Sequence, residues 1–107
     1  MAREMRFLDI PDGYPLPRDW ILGLGSRGFM EQVRLIEEIG PVFAGCQKLA
    51  DNKWLLHEPI GFGDIANLVF ISLRDGNLFA LHGFTSRTSE EFDRGIALAE
   101  SRRLDLI

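Results

Sequence analysis

Residues 65–84 read Ile65-Ala66-Asn67-Leu68-Val69-Phe70-Ile71-Ser72-Leu73-Arg74-Asp75-Gly76-Asn77-Leu78-Phe79-Ala80-Leu81-His82-Gly83-Phe84, and this stretch decides the fold. Two apolar runs flank Arg74-Asp75-Gly76-Asn77. Asp-Gly between apolar runs is a strong short-range hairpin signal, because glycine takes positive φ at no steric cost. The runs are therefore two antiparallel strands, over 65–73 and 78–84. The first lacks sustained polar alternation, which predicts a central strand burying most of both faces. Upstream, Lys53 to Glu58 supplies a third strand. Downstream, Thr88 and Glu91 have capping-box spacing, and Phe92, Ile96 and Ala99 share one face of a closing helix. Gly95 inside it costs about 1 kcal/mol relative to alanine.

Further toward the amino terminus, Ser26 caps a helix in which Phe29, Met30, Val33, Ile36 and Ile39 form one apolar stripe. Gly40-Pro41 ends it. Leu16 to Leu24 holds a shorter helix, Pro11 to Pro15 reads as turn chemistry, and Met5 to Ile10 as a short first strand. The expected architecture is α+β: a mainly antiparallel sheet with N-terminal helices and a C-terminal helix packed on it, the helices covering one face.

A chain of 107 residues fits one domain spanning 1–107. The composition, 46% apolar and 26% charged, is that of an ordinary globular protein needing no metal or disulfide staple. Cys46 is the single cysteine, which fits a reducing compartment and a small buried thiol. The start Met1-Ala2-Arg3-Glu4-Met5 lacks a signal-peptide core, and no apolar run approaches the roughly 18 residues of a membrane helix. A cytoplasmic location without membrane contact is expected. Lys and Arg number 12 and Asp and Glu 16, a net charge of −4. That balance argues against a broad nucleic-acid surface and against DNA contact by this chain alone, while leaving room for a local basic patch.

Leu81-His82-Gly83-Phe84, then Arg87-Thr88 and a helix beginning Glu90-Glu91, resembles the phage-derived branch of the RelE/HigB toxin family. So do Ile36 through Gly40-Pro41, Lys48-Leu49, and Lys53-Trp54-Leu55-Leu56. The likeness covers about residues 27–103. The resemblance implies a RelE-like fold and a type II toxin-antitoxin component, a metal-independent endoribonuclease cleaving messenger RNA on the ribosome. It also implies a cognate antitoxin as partner, with the ribosome and messenger as targets. The sequence departs from the family twice. His57 stands where a Trp-x-Leu-Arg pattern has arginine, and Ala66-Asn67 stands where a Tyr-Arg pattern opens the central strand.

Cleavage of RNA without metal needs the 2′-hydroxyl deprotonated, the phosphate charge stabilised and the leaving oxygen protonated. His57, His82 and Arg87 are the candidate catalytic residues. Histidine is the side chain suited to proton transfer near neutral pH. Arg87 precedes a helix amino terminus, where cation and free amides favour phosphate. The plainer readings are a solvated strand residue for His57, a structural imidazole for His82 and an exposed cation for Arg87. Lys53, Trp54, Arg74, Arg102 and Arg103 are the candidate RNA-binding residues. Against them stand ordinary surface roles for Lys53 and Arg74, core packing for Trp54, and helix-dipole compensation for Arg102-Arg103. One cysteine and two histidines give no zinc pattern, and Gly23-Leu24-Gly25-Ser26-Arg27-Gly28 lacks the βαβ setting of a dinucleotide loop, so neither metal nor cofactor is expected. Two function classes follow: an active endoribonuclease, and a non-catalytic relative that uses the fold to bind a protein.

Overall fold

The structure, a computed structural model, describes residues 3–104. In chain order its elements are β1 (Met5–Phe7), α1 (Pro17–Leu24), α2 (Arg27–Ile39), β2 (Gln47–Ala50), β3 (Lys53–Gly61), β4 (Asp64–Ser72), β5 (Leu78–Ser86) and α3 (Ser89–Leu104). The strands form one mixed sheet in the order β1-β5-β4-β3-β2. β1 runs parallel to β5, and the other pairings are antiparallel.

Local chemistry sets the boundaries. Pro17 opens α1 and Gly25 closes it at φ 63. Ser26 Oγ accepts from Phe29 N at 3.2 Å to start α2, and Gly40 ends it at φ 89. The capping box of α3 is formed: Glu91 N donates to Thr88 Oγ1, and Thr88 N to Glu91 Oε1, both at 3.1 Å. In the β4–β5 turn, Asp75 Oδ1 accepts from Asn77 N at 2.9 Å and Gly76 sits at φ 88.

The helices lie on both faces of the sheet, which corrects the one-face expectation. Ile21 of α1 and Phe29, Val33 and Ile36 of α2 pack with Leu56, Ala66, Leu68, Phe70, Leu78 and Ala80. Phe92, Ile96 and Ala99 of α3 pack with Leu55, Val69, Ile71 and Leu81 on the opposite face. The cause is β4, whose seven residues Ala66 to Ser72 are all buried except Ser72: an apolar strand exposed on either side would leave large area in water. One edge strand, β2, was not anticipated.

A bulge in β5 sets which of its side chains face α3. Val69 pairs with His82, whereas the next β4 residue, Phe70, pairs with Ala80. Leu81 is the extra residue, so Leu81 and His82 both lie on the α3 face. Beyond the bulge Phe84 and Ser86 share that face. β1 accompanies β5 only from Leu78 to Ala80, so among the described residues the stretch from His82 onward has no strand on its outer side.

Candidate functional site

The site begins with an asparagine inside the sheet. Asn67 of β4 is 0% exposed and is the cross-strand partner of both His57 on β3 and Phe84 on β5. Its Nδ2 lies 3.2 Å from Ile65 O, 3.3 Å from Phe84 O and 2.9 Å from Ser86 Oγ. Two backbone carbonyls admit only a donor, which fixes the amide orientation and presents Oδ1 to His57 Nδ1 at 2.7 Å. A carbonyl oxygen cannot donate, so Nδ1 carries the proton and donates. In the neutral form of the exposed His57 imidazole, this bond makes Nε2 the acceptor. Its ring stands edge-on to Phe92 of α3, centroids 6.0 Å apart. The arrangement can accept a proton from a hydroxyl placed against Nε2. His57 and Asn67 are thus direct cross-strand partners.

Arg87 lies just past β5, where the chain enters α3. Its Nε and Nη2 address the two carboxylate oxygens of Asp64, the first residue of β4, the latter at 3.4 Å. The Arg87 guanidinium holds the Asp64 carboxyl below the usual carboxylate range. The backbone N–H groups of Arg87 and Thr88 donate to Glu91 Oε1 and lower that carboxyl likewise. Two internal carboxylates therefore occupy the guanidinium and the helix amino terminus.

His82 belongs to a different constellation. It is 5% exposed, and its Nδ1 accepts from Arg102 Nη1 at 3.1 Å. Burial, and then the Arg102 charge, push its pKa down to about 4, so it is neutral and its Nδ1 is taken. Phe84 stacks on it at 5.3 Å and Phe92 follows at 6.0 Å, so two rings stand between His82 and His57. The three expected catalytic residues do not share one concave surface. His57 and Arg87 stand exposed at the end of the sheet nearest the start of α3, while His82 is sealed near that helix's end.

Arg102, expected to face RNA, is 2% exposed. Its guanidinium donates to both Asp12 oxygens at 2.8 and 2.9 Å, to Leu81 O and Pro15 O at 3.0 Å, to Tyr14 O at 3.4 Å and to His82. Every N–H direction has an acceptor, leaving none for a phosphate. Lys53 is buried and pairs with Glu100 of α3. Trp54 packs against the α1–α2 core, its Nε1 donating to Ser72 Oγ at 3.0 Å and the Lys48 ammonium lying 5.9 Å from its ring. Arg74 stands exposed in the β4–β5 turn. The Arg103 side chain lies outside the described residues.

A well-formed groove lies elsewhere. A groove of about 650 Å³ runs along the outer side of β5 past His82, Gly83 and Phe84, between Trp20 and the Arg94–Leu98 segment of α3. It excludes His57 and Arg87. Among the described residues no three His, Cys, Asp or Glu gather as metal ligands, and no helix is long and apolar enough to cross a membrane.

Sequence reasoning missed Asn67 as the organiser. The signal was present: one amide inside an otherwise apolar strand must find partners, because an unpaired buried amide costs roughly 1–3 kcal/mol. Comparison with known protein families, with characterised proteins and with solved structures gives no match for this chain.

Proposed function

We propose that this chain is a RelE/HigB-like toxin, an endoribonuclease that cuts messenger RNA on the ribosome and is held in check by an antitoxin. The observation carrying the reading is the fixed His57 tautomer: an exposed Nε2 acceptor oriented by a fully buried amide. In the proposed reaction Nε2 takes the proton of a ribose 2′-hydroxyl. The 2′-oxygen then bonds to phosphorus, the bond to the 5′-oxygen breaks, and that oxygen takes a proton from water reaching the exposed site. Arg87 supplies positive charge for the phosphoryl oxygens once substrate competes with Asp64 for its guanidinium. His82 and Arg102 hold the scaffold and touch no substrate.

The test is cleavage of a defined messenger on translating ribosomes, read with growth on controlled expression. Wild type cuts and arrests growth. His57→Ala loses about 10²- to 10⁴-fold in rate, the range typical of one proton-transfer residue. A wild-type protein that leaves ribosome-bound messenger intact refutes the reading.

A second reading has its own support. Arg102 and Lys53 are consumed by internal pairing, and the groove along β5 is mainly apolar. Both features suit a non-catalytic protein-binding module of the same fold. Its expected result is stable capture of one protein with no messenger cleavage.

A further inference from the structure

The β3–β4 turn carries a side chain that the fold does not use. Gly61 pairs with Asp64, so Phe62-Gly63 is a two-residue hairpin loop. Both loop residues have positive φ, 55 at Phe62 and 80 at Gly63. Glycine, asparagine or aspartate are the residues such loops favour. Phenylalanine at that φ is strained, because its Cβ crowds the backbone. The ring is also 98% exposed, so it returns nothing through burial. The strain therefore goes uncompensated, and strained residues of this kind cluster at functional positions.

The surroundings indicate what the ring meets. A Cβ built at Gly61 or at Gly63 would have nothing within 4 Å, so the flanks of Phe62 are open. The other exposed large apolar side chains are Ile10 and Tyr14 before α1, Leu22 in α1, Ile39 at the end of α2, and Val42 and Phe43 in the turn between α2 and β2. Along the chain Phe62 stands apart from them, between two glycines and Asp64. A protein interface is built around a contiguous packed patch, in which anchors sit in desolvated pockets. A nucleobase needs less: one aromatic face, with a cation nearby for the backbone. The Asp64–Arg87 pair adjoins the turn, and His57 lies five residues before Phe62, roughly 16 Å at strand rise.

We propose that Phe62 is a base-stacking residue that seats an unpaired RNA base beside the His57 site. The proposal rests on the ribonuclease reading and adds the group that holds the substrate strand. Phe62 takes no part in proton transfer. Its contribution is to substrate affinity.

The experiment compares wild type with Phe62→Trp, Phe62→Leu and Phe62→Asn on translating ribosomes carrying a defined messenger, with 2-aminopurine placed beside the cleaved bond. Phe62→Asn is compatible with the turn, so misfolding does not confound it. Loss of one stacked base corresponds to roughly 5- to 150-fold in affinity. Leucine and asparagine should raise KM within that range and leave kcat at saturation within about twofold, while tryptophan keeps KM low. Wild type and Phe62→Trp should quench 2-aminopurine, and Phe62→Leu should not. If all four proteins share one KM and one quenching signal while His57→Ala is inactive, stacking is refuted and the nuclease reading stands. Wild type that neither cuts nor quenches overturns both. Cleavage unchanged in Phe62→Leu with loss of a protein partner also overturns stacking, making Phe62 a protein contact.

Discussion

Replacing Asn67 separates orientation from chemistry. Asn67→Leu keeps the volume and the apolar strand but removes the acceptor that fixes the His57 proton on Nδ1. The protein should stay folded by circular dichroism while kcat for messenger cleavage falls at least about tenfold, since positioning and tautomer both matter to a proton-transfer group. Unchanged kcat would show that His57 orients itself. At the same scale, Phe62→Asn should leave stability unchanged or raise it by about 0.5 kcal/mol, because asparagine accepts the left-handed region more readily; urea denaturation reads this. How much of the site was legible is also a residue-level matter. His57 was visible by its type and by its place on a strand. Asn67 was visible only as a departure from a pattern, because pairing across β3 and β4 had to be known before its partner could be named. Arg102 misled because arginine near a chain end suggests surface, whereas its partners lie at Asp12, Tyr14 and Pro15, far away along the chain.

At the scale of elements, Gly95 shows what helix propensity leaves out of account in α3. A Cβ there would lie 2.3 Å from Phe84 Cε2, so the missing side chain lets the helix sit close on β5. Gly95→Ala gains about 1 kcal/mol of helix propensity but must displace Phe84, with overpacking costs of about 1–3 kcal/mol. We expect net destabilisation by roughly 1 kcal/mol, abolished in the Phe84→Leu background; additive effects in that double variant would contradict the contact. The β4–β5 hairpin was legible because Asp75-Gly76 carries the turn chemistry openly. The β3–β4 hairpin was less so, because Phe62-Gly63 replaces the usual Asn-Gly and the eye reads a loop. β2 was invisible: four residues, three of them exposed, are too few to display a period. The one-face arrangement failed against evidence already in the sequence, since a strand apolar on both sides demands cover on both.

At the scale of the molecule, Arg102 fastens three distant pieces together: the segment at Asp12 to Pro15, β5 through Leu81 and His82, and α3, which carries it. Arg102→Met should cost about 3 kcal/mol in urea denaturation, because it strips donors from a carboxylate and three carbonyls. The lock is also acid-labile. His82 titrates near 6.5 when exposed and at about 4 when folded, so between those values the unfolded chain holds the extra proton and acidification favours unfolding. The ordinary carboxyl value is 3.8, and Arg102 holds Asp12 at about 2, so the ion pair stabilises the fold above that window and is lost as pH falls through it. Urea midpoints should decline from pH 6.5 to 4 and again below 3.8; His82→Gln should flatten the first decline and spare the second, and an unaltered first decline would acquit His82. The placing of β1 has a further consequence for how the protein is born. Glu4 and Asn77, which pin β1 to β5, are 73 positions apart, so the first strand to leave the ribosome waits for the last strand of the sheet. During synthesis β3 and β4 can zip locally while the opening segment trails without a neighbour. In pulsed hydrogen–deuterium labelling of refolding, the amides of Met5 to Phe7 should be among the last protected, the loop-closure entropy of that pairing being the largest in the sheet.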